Sequence, residues 1–414
     1  MIKKEKHLVS YSWLLPLPTL LVLYAIFRMP NLSLLSHLVQ LFNTHSPGVH
    51  DYFATVGFAP TILNAGLMGF AVLGLLKFNK LPMNANSISA LFLMMGFAFI
   101  GKNLINFIPF LFGGYLYAKL QKIPFKRVLV AALLTSCLAP LVDFALLITP
   151  FDFFGRYLVS ILVGVLLGLV AIPISSHLLL THQGYNLYNM GFAAGFIGII
   201  AVSTLQSIGL DTALISIVSS EGDSGLVAIL GISFIYFIVK GVFSRTADDK
   251  PYRELFTYSG RLVSDFTRLV GPSTTLVNMG VMGLIGLSFM LLFKVPASGP
   301  VLAGIFTLAG FASFGNHPKN TLPIMVGAMG GVLLFNNDMS MTSAVVATLF
   351  ATTLAPIAGE YGVFAGLFVG VIHTSMVSSM AALHGGMNLY NNGFSGGLIA
   401  TLVVPVIDAF KKEK

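Results

Sequence analysis

Along the 414 residues, apolar runs of about twenty alternate with short polar breaks, a length that suits helices crossing a bilayer and not strands. These runs predict spans at 10–28, 57–77, 128–148, 157–181, 188–208, 224–244, 271–293, 341–358, 361–383 and 391–410. Two further stretches, 86–118 and 300–335, are too long for one helix, and a polar knot cuts each in the middle: GKNLIN (101–106) and GNHPKN (315–320). The arms left beside each knot are about 15 residues long, which fits a re-entrant hairpin as well as two short spans. The expected fold class is an all-α polytopic membrane protein with roughly 10 to 14 membrane segments.

Composition agrees with the pattern. At 56% hydrophobic and 9% charged, the chain holds more apolar surface than a soluble core of its length buries. A net charge of +8 would suit nucleic acid, but Lys and Arg fall in short clusters between the runs, not along one face, so nucleic acid is excluded as a partner. The clusters read instead as topology signals. Lys3, Lys4 and Lys6 start inside, and the chain returns there at Lys77 and Lys80, at Lys119 to Arg127, at Arg245 to Arg268 and at Lys411 to Lys414. The segment 209–223, with Asp211, Glu221 and Asp223, carries the outside signature. Both termini are therefore expected in the cytoplasm. The first apolar run follows a basic start but lacks a small-residue cleavage site, and reads as a retained helix.

The chain also repeats itself. HQGYNLYNMGFAAG (182–195) aligns without a gap with HGGMNLYNNGFSGG (384–397), and 51–69 aligns with 265–283. Residues 95–114 align with 309–328, and CLAP (137–140) with TLAP (353–356). The organisation expected is an N-terminal repeat at 1–208, a linker at 209–223 and a C-terminal repeat at 224–414. Each repeat holds five spans plus one broken stretch, an odd number of crossings, so the second copy is inverted in the membrane. Inverted repeats are a common transporter architecture, with the solute site at the midplane where broken helices meet. Duplication for packing alone is the competing explanation.

Candidate chemistry follows from the repeat. Lys102, Asn103 and Asn106 in one knot, and Asn316, His317, Lys319 and Asn320 in the other, would approach the midplane from opposite sides. Backbone freed there must face protein or a watery cavity, and the lysines favour an anionic or strongly dipolar solute. The alternative is two ordinary loops at the water surface. Asn64 and Asn278 occupy matching positions in their spans, either as interhelical glue or as lining of a polar path. The repeated Asn-Leu-Tyr-Asn segments add Asn186, Tyr188 and Asn189 in one copy and Asn388, Tyr390 and Asn391 in the other. Asp143 and Glu360 follow Leu-Ala-Pro in each copy and read as interfacial acids, while Asp51 and Asp265 look like helix-start residues.

Catalysis finds little support. GFSGG around Ser395 fits G-x-S-x-G and resembles the Gly-x-Ser-Gly of rhomboid intramembrane proteases, but no histidine follows it and the first copy has Ala193 there. There is no HExxH, P-loop or nucleotide fingerprint, and the one cysteine, Cys137, excludes a disulfide within the chain and a cysteine metal cluster. No enzyme activity, cofactor or metal is expected.

The duplicated NLYN-x-GF segments and the GNHPKN knot resemble those of an uncharacterised bacterial family of internally duplicated membrane proteins, a domain of unknown function. GYNLYN and GMNLYN are also similar to the Gly-Tyr-Asn segments that feed helices in the two inverted halves of urea transporters. These resemblances imply a bacterial inner-membrane protein. The expected function is transport of a small polar, anionic or dipolar solute by alternating access between the repeats. A passive channel for a small solute such as an amide is the runner-up, and an intramembrane enzyme comes third. The expected partners are the solute and the lipid bilayer; the sequence leaves open a coupling ion, H+ or Na+, and a homo-oligomer.

Overall fold

A computed structural model describes residues 8–29, 34–45, 48–212, 216–335 and 339–410. Lys3, Lys4, Lys6 and the basic residues of 411–414, on which part of the topology reading rests, lie outside the described residues. The first copy comprises α1 (Pro16–Phe27, preceded by one turn at Tyr11–Leu14), α2 (Leu34–Phe42), α3 (Phe58–Phe78), α4 (Ala85–Phe97), α5 (Ile108–Leu120), α6 (Leu129–Thr135), α7 (Ala139–Ile148), α8 (Phe153–Thr181) and α9 (Asn189–Ser207). The second comprises α10 (Ser224–Phe243), α11 (Pro272–Leu292), α12 (Gly299–Phe311), α13 (Pro318–Leu334), α14 (Met341–Ala351), α15 (Ala355–Tyr361), α16 (Val363–Leu383) and α17 (Asn391–Phe410). A two-residue parallel bridge pairs β1 (Val49–His50) with β2 (Ser216–Ile217).

Among the described residues nine helices are long and apolar enough to cross a membrane, counting α6–α7 and α14–α15 as one each. The first expected span falls short of that length, at Tyr11–Phe27, because Leu15 and Pro16 divide it. The helices are built inside out relative to a soluble protein. Along α8, Leu158, Leu162, Leu166 and Val170 are exposed in one stripe, whereas Ser160, Gly164, Gly168 and Ala171 face the interior. Large apolar side chains outward and small ones at the helix contacts are what a hydrocarbon solvent selects. A hollow of about 760 Å³ between α11 and α13, lined by Leu284, Phe289, Met325 and Val326 among others, belongs to this lipid-facing surface.

The copies meet about a two-fold axis. Helices α4 and α12 lie side by side in opposite directions: Gly96 seats against Ala303 and Phe306, and Gly310 against Ser89 and Phe92. The start of each lies beside the end of the other, with Ser313 Oγ donating to the Ala85 carbonyl (3.1 Å) and Gly299 seated against Ile100 and the Phe99 carbonyl. Asp51 caps the turn that begins at Tyr52 and also accepts from Gly299 N (2.9 Å) and Ser219 N (3.0 Å). Asp265 caps its own turn and reaches Ala85 N at 3.4 Å. Both acids are helix-start residues, as expected, and each also ties its own copy to the other. A second crossing joins α9 and α17 at their first turns, where Gly191 lies against Gly393, Gly195 under the Phe394 ring and Gly397 under the Phe192 ring.

The long apolar stretches are discontinuous. Helices α4 and α5 have 13 residues each, about 20 Å at 1.5 Å per residue, too short for a 30 Å hydrocarbon core. Asn86, near the start of α4, and Arg127, in the 3-10 turn that follows α5, line the same cavity. A second kind of break lies inside a run that reads as one span. A 3-10 turn at Ser136–Leu138 separates α6 from α7, and another at Thr352–Leu354 separates α14 from α15.

Candidate functional site

The knots fold as caps. Asn103 Oδ1 accepts from Ile105 N and Asn106 N (2.9 Å each), while Asn106 Oδ1 accepts from Asn103 N and its Nδ2 donates to Gly101 O. In the second copy His317 and Asn320 form a reciprocal cap at the start of α13, and Asn320 Nδ2 donates to Gly315 O (2.9 Å). Asn64 Nδ2 donates to the carbonyls of Ala98 and Lys102, and Asn278 Nδ2 to those of Ala312 and Asn316, all at 2.8 Å. These amides satisfy the backbone where α4 and α12 end, so of the two roles considered for them the geometry gives the structural one. Asn64→Leu would strand two carbonyls in the interior and is expected to destabilise the protein by about 1–3 kcal/mol in thermal unfolding of the solubilised chain. Asn278→Leu is expected to lower stability further, since Asn278 Oδ1 also accepts from Tyr252 Oη at 3.0 Å.

The Asn-Leu-Tyr-Asn segments are exchanged between the copies. Leu187 N donates to Thr353 O (3.0 Å), and Leu389 N to Cys137 O (2.9 Å), so each segment docks on the 3-10 break of the opposite copy. Asn186 Nδ2 donates to Gly393 O (3.0 Å) and Asn388 Nδ2 to Gly191 O (3.1 Å). Thr353 Oγ1 also donates to Asn186 Oδ1. Asn189 stays within its own copy, bridging His182 Nε2 (2.9 Å) and Ser175 O (2.8 Å). Asn391 Oδ1 accepts from Asn392 Nδ2 at 2.7 Å.

This exchange brings both tyrosines to the axis. The Tyr188 ring stacks on Phe311 with centroids 4.6 Å apart, and Tyr390 lies 4.3 Å from Phe97. Lys102, fully buried, donates from Nζ to Tyr390 Oη at 2.6 Å and sits 4.6 Å from the centroid of its ring. Among the described residues no carboxylate pairs with this ammonium. Its counterpart 214 residues on is Asn316, also fully buried, whose Oδ1 and Nδ2 both lack a partner among the described residues.

Two cavities reach the axis from opposite faces. One, of about 340 Å³, opens on the face that carries Arg127, Leu262 and Val263. The other, of about 210 Å³, opens beside Val49, Ser216 and Ser343. Their walls correspond in pairs: Val130 with Val346, Leu134 with Phe350, Ser176 with Ser378, Leu187 with Leu389, Asn189 with Asn391. Phe350, Leu389 and Asn392 belong to both. Arg127, exposed at the mouth of the larger cavity, is the one charged residue among those lining either.

Of the residues expected at the site, the structure brings Lys102, Tyr188, Tyr390 and Asn316 to the axis, and Asn189 and Asn391 to the cavity walls. Asn64, Asn278, Asn103, Asn106, His317, Asn320, Asn186 and Asn388 hold backbone in place. Lys319 lies apart from them: it is exposed, with Nζ on the Phe256 carbonyl at 3.2 Å, because its knot aligns Asn316, not Lys319, with Lys102. Asp143 is buried, 3.6 Å from His45 Nδ1, whereas Glu360 is exposed. Sequence reasoning missed Arg127 as a site residue and the apolar walls Phe97, Phe311, Phe350 and Leu389; the one signal among them is that Phe97 recurs as Phe311 and Leu187 as Leu389.

A duplicated bundle with lipid-exposed flanks, interlocked breaks and paired cavities is a multi-pass integral membrane protein. The chain belongs to the family described as "Protein of unknown function (DUF1576)", whose profile matches residues 31–207 and again 247–409. No curated protein and no solved structure matches it, so the likeness to urea transporters rests on the two short Asn-containing segments alone.

Proposed function

We propose that the protein carries a small polar anion across the membrane by alternating access. The observation that supports this reading most directly is the pair of corresponding cavities, one on each face, whose floors share Phe350, Leu389 and Asn392. A rocking of one copy against the other would shrink one cavity and enlarge the other, and their unequal volumes fit a molecule caught on one side of that exchange. On this reading the Arg127 face is cytoplasmic, the broken α4–α5 and α12–α13 pairs re-enter the membrane, and the membrane is the bacterial inner one. Arg127 at one mouth and Lys102, buried behind the wall residue Tyr390, favour a negative charge, with no carboxylate in either wall; the aromatic floor accommodates an apolar body.

A passive channel is the second reading. Phe350, Leu389 and Asn392 line both cavities, and on this reading their displacement opens a continuous path. Trans-stimulation in counterflow would mark a carrier, and its absence a channel.

The solute class can be tested on the purified chain. In a panel of small carboxylates, neutral amides and ammonium compounds, a carboxylate is expected to raise the unfolding temperature. The added stability is about 2.7 kcal/mol at a hundred times the dissociation constant, because ligand binds the folded form alone. Stabilisation by amides or cations only would overturn the anion assignment.

A further inference from the structure

On α16 and α17 the second copy is more polar than its counterpart in the first. Where the first copy has Ala171, Met190 and Ala193, the second has His373, Asn392 and Ser395, each 202 residues on. All three are buried; His373 and Ser395 have no exposure. Asn392 and Ser395 lie one turn apart on α17, on one side of the helix. From α16 the His373 ring approaches the Asn392 backbone, and neither ring nitrogen has a side-chain partner among the described residues. Asn392 Oδ1 and Ser395 Oγ are likewise unpartnered among the described residues. Burying polar atoms without a protein partner is unfavourable, and their gathering on two adjacent helices sets this place apart from its counterpart in the first copy.

We propose that His373, Asn392 and Ser395 form a proton-binding site that couples the carrier cycle to a proton, with the His373 imidazole taking the proton. This rests on the carrier reading above. Histidine is the side chain whose ordinary pKa allows a change of charge near neutral pH, and an ionisable group inside a spanning helix is costly without a role. Once protonated, both ring nitrogens donate, and Asn392 Oδ1 and Ser395 Oγ are free to accept. Asn392 also lines both cavities, so the site adjoins water from either face in turn. One proton enters on a ring nitrogen from one cavity and leaves from it to the other, with no other bond made or broken.

No fixed charge competes at this place. Of the elements packed on α16, α13 carries Lys319, α15 carries Glu360 and Tyr361, and α17 carries Asp408; α14 and the 3-10 turn after it have no titratable residue. Lys319, Glu360 and Asp408 are exposed, and Tyr361 Oη donates to Asp408, away from the helix centre.

The test uses the full chain in liposomes with Cys137→Ser and two separate probes, Ser176→Cys in one cavity wall and Ser378→Cys at the matching position of the other. The ratio of their maleimide labelling rates cancels the intrinsic ionisation of the thiol. Between pH 8 and pH 5.5 the ratio is expected to change by about threefold or more as the population shifts. It is expected to stay flat in His373→Ala, which installs the first copy's residue, and in His373→Gln, each checked for unchanged elution and unfolding temperature. A flat ratio with His373 present, or an equal change in both variants, overturns the proton site. A ratio moved by a stabilising anion but not by pH removes the proton site and leaves the carrier standing. A ratio moved by neither removes both.

Discussion

Gly191→Val is expected to be among the most damaging single changes in this chain. A Cβ at Gly191 would lie 2.6 Å from the Tyr390 carbonyl oxygen, 2.8 Å from Tyr390 Cβ and 3.2 Å from Gly393 Cα. The obstacle is backbone, held in turn by the Asn388 bond to the Gly191 carbonyl, so no side-chain rotation relieves it. Forcing atoms into such a contact costs roughly 3 kcal/mol or more when the backbone cannot yield. The expected outcome is loss of the monodisperse peak in size-exclusion chromatography. Gly74→Val, where a Cβ meets nothing within 4 Å, should elute and melt like the parent. Equal behaviour of the two variants would mean that the α9–α17 crossing does not hold the copies together.

Lys102→Met is expected to act in the opposite sense on stability and to abolish the response to anions. The ammonium is fully buried, with one neutral hydroxyl and, 3.4 Å away, the Met94 sulfur as its partners. Replacing a buried ionic group by an apolar one of similar length commonly leaves stability unchanged or raises it, by roughly 1–4 kcal/mol. A lysine kept for architecture would behave otherwise. The variant should therefore melt at or above the parent's temperature and lose the stabilisation by small carboxylates, whereas Arg127→Ala, at the exposed mouth, should only weaken it. A Lys102→Met protein still stabilised by carboxylates to the same extent would take the ammonium out of the site.

Much of the architecture was legible because a bilayer imposes a length and a polarity that apolar runs reveal directly. The 3-10 breaks at Ser136–Leu138 and Thr352–Leu354 were not, since Leu-Ala-Pro inside an apolar run reads as a continuing helix; proline at the second position of α7 and α15 starts a new helix after the break. The asparagines show why the site was harder to read. An amide that caps a broken helix and an amide that binds a solute look alike in sequence, and only the carbonyl partners of Asn64 and Asn278 separate the roles. Lys102 and Lys319 occupy similar knots, yet three residues of displacement put one on the axis and the other in water. His373 sits in an apolar run with no motif around it; its significance lies in the alanine that occupies its place in the other copy.

The exchanged Asn-Leu-Tyr-Asn segments have a consequence for ancestry. The backbone-anchoring contacts of these segments are reciprocal: 187 on 353 and 389 on 137, 186 on 393 and 388 on 191. A surface that meets its own duplicate in this way is isologous, the kind two identical chains form. Before fusion, a chain of half this length would have met itself in antiparallel orientation, one molecule inserted each way in the same membrane. Identical chains must keep every residue in duplicate. Joined in tandem, they no longer need to, and Lys102 with its counterpart Asn316, and His373 with its counterpart Ala171, are among the places where the two have parted.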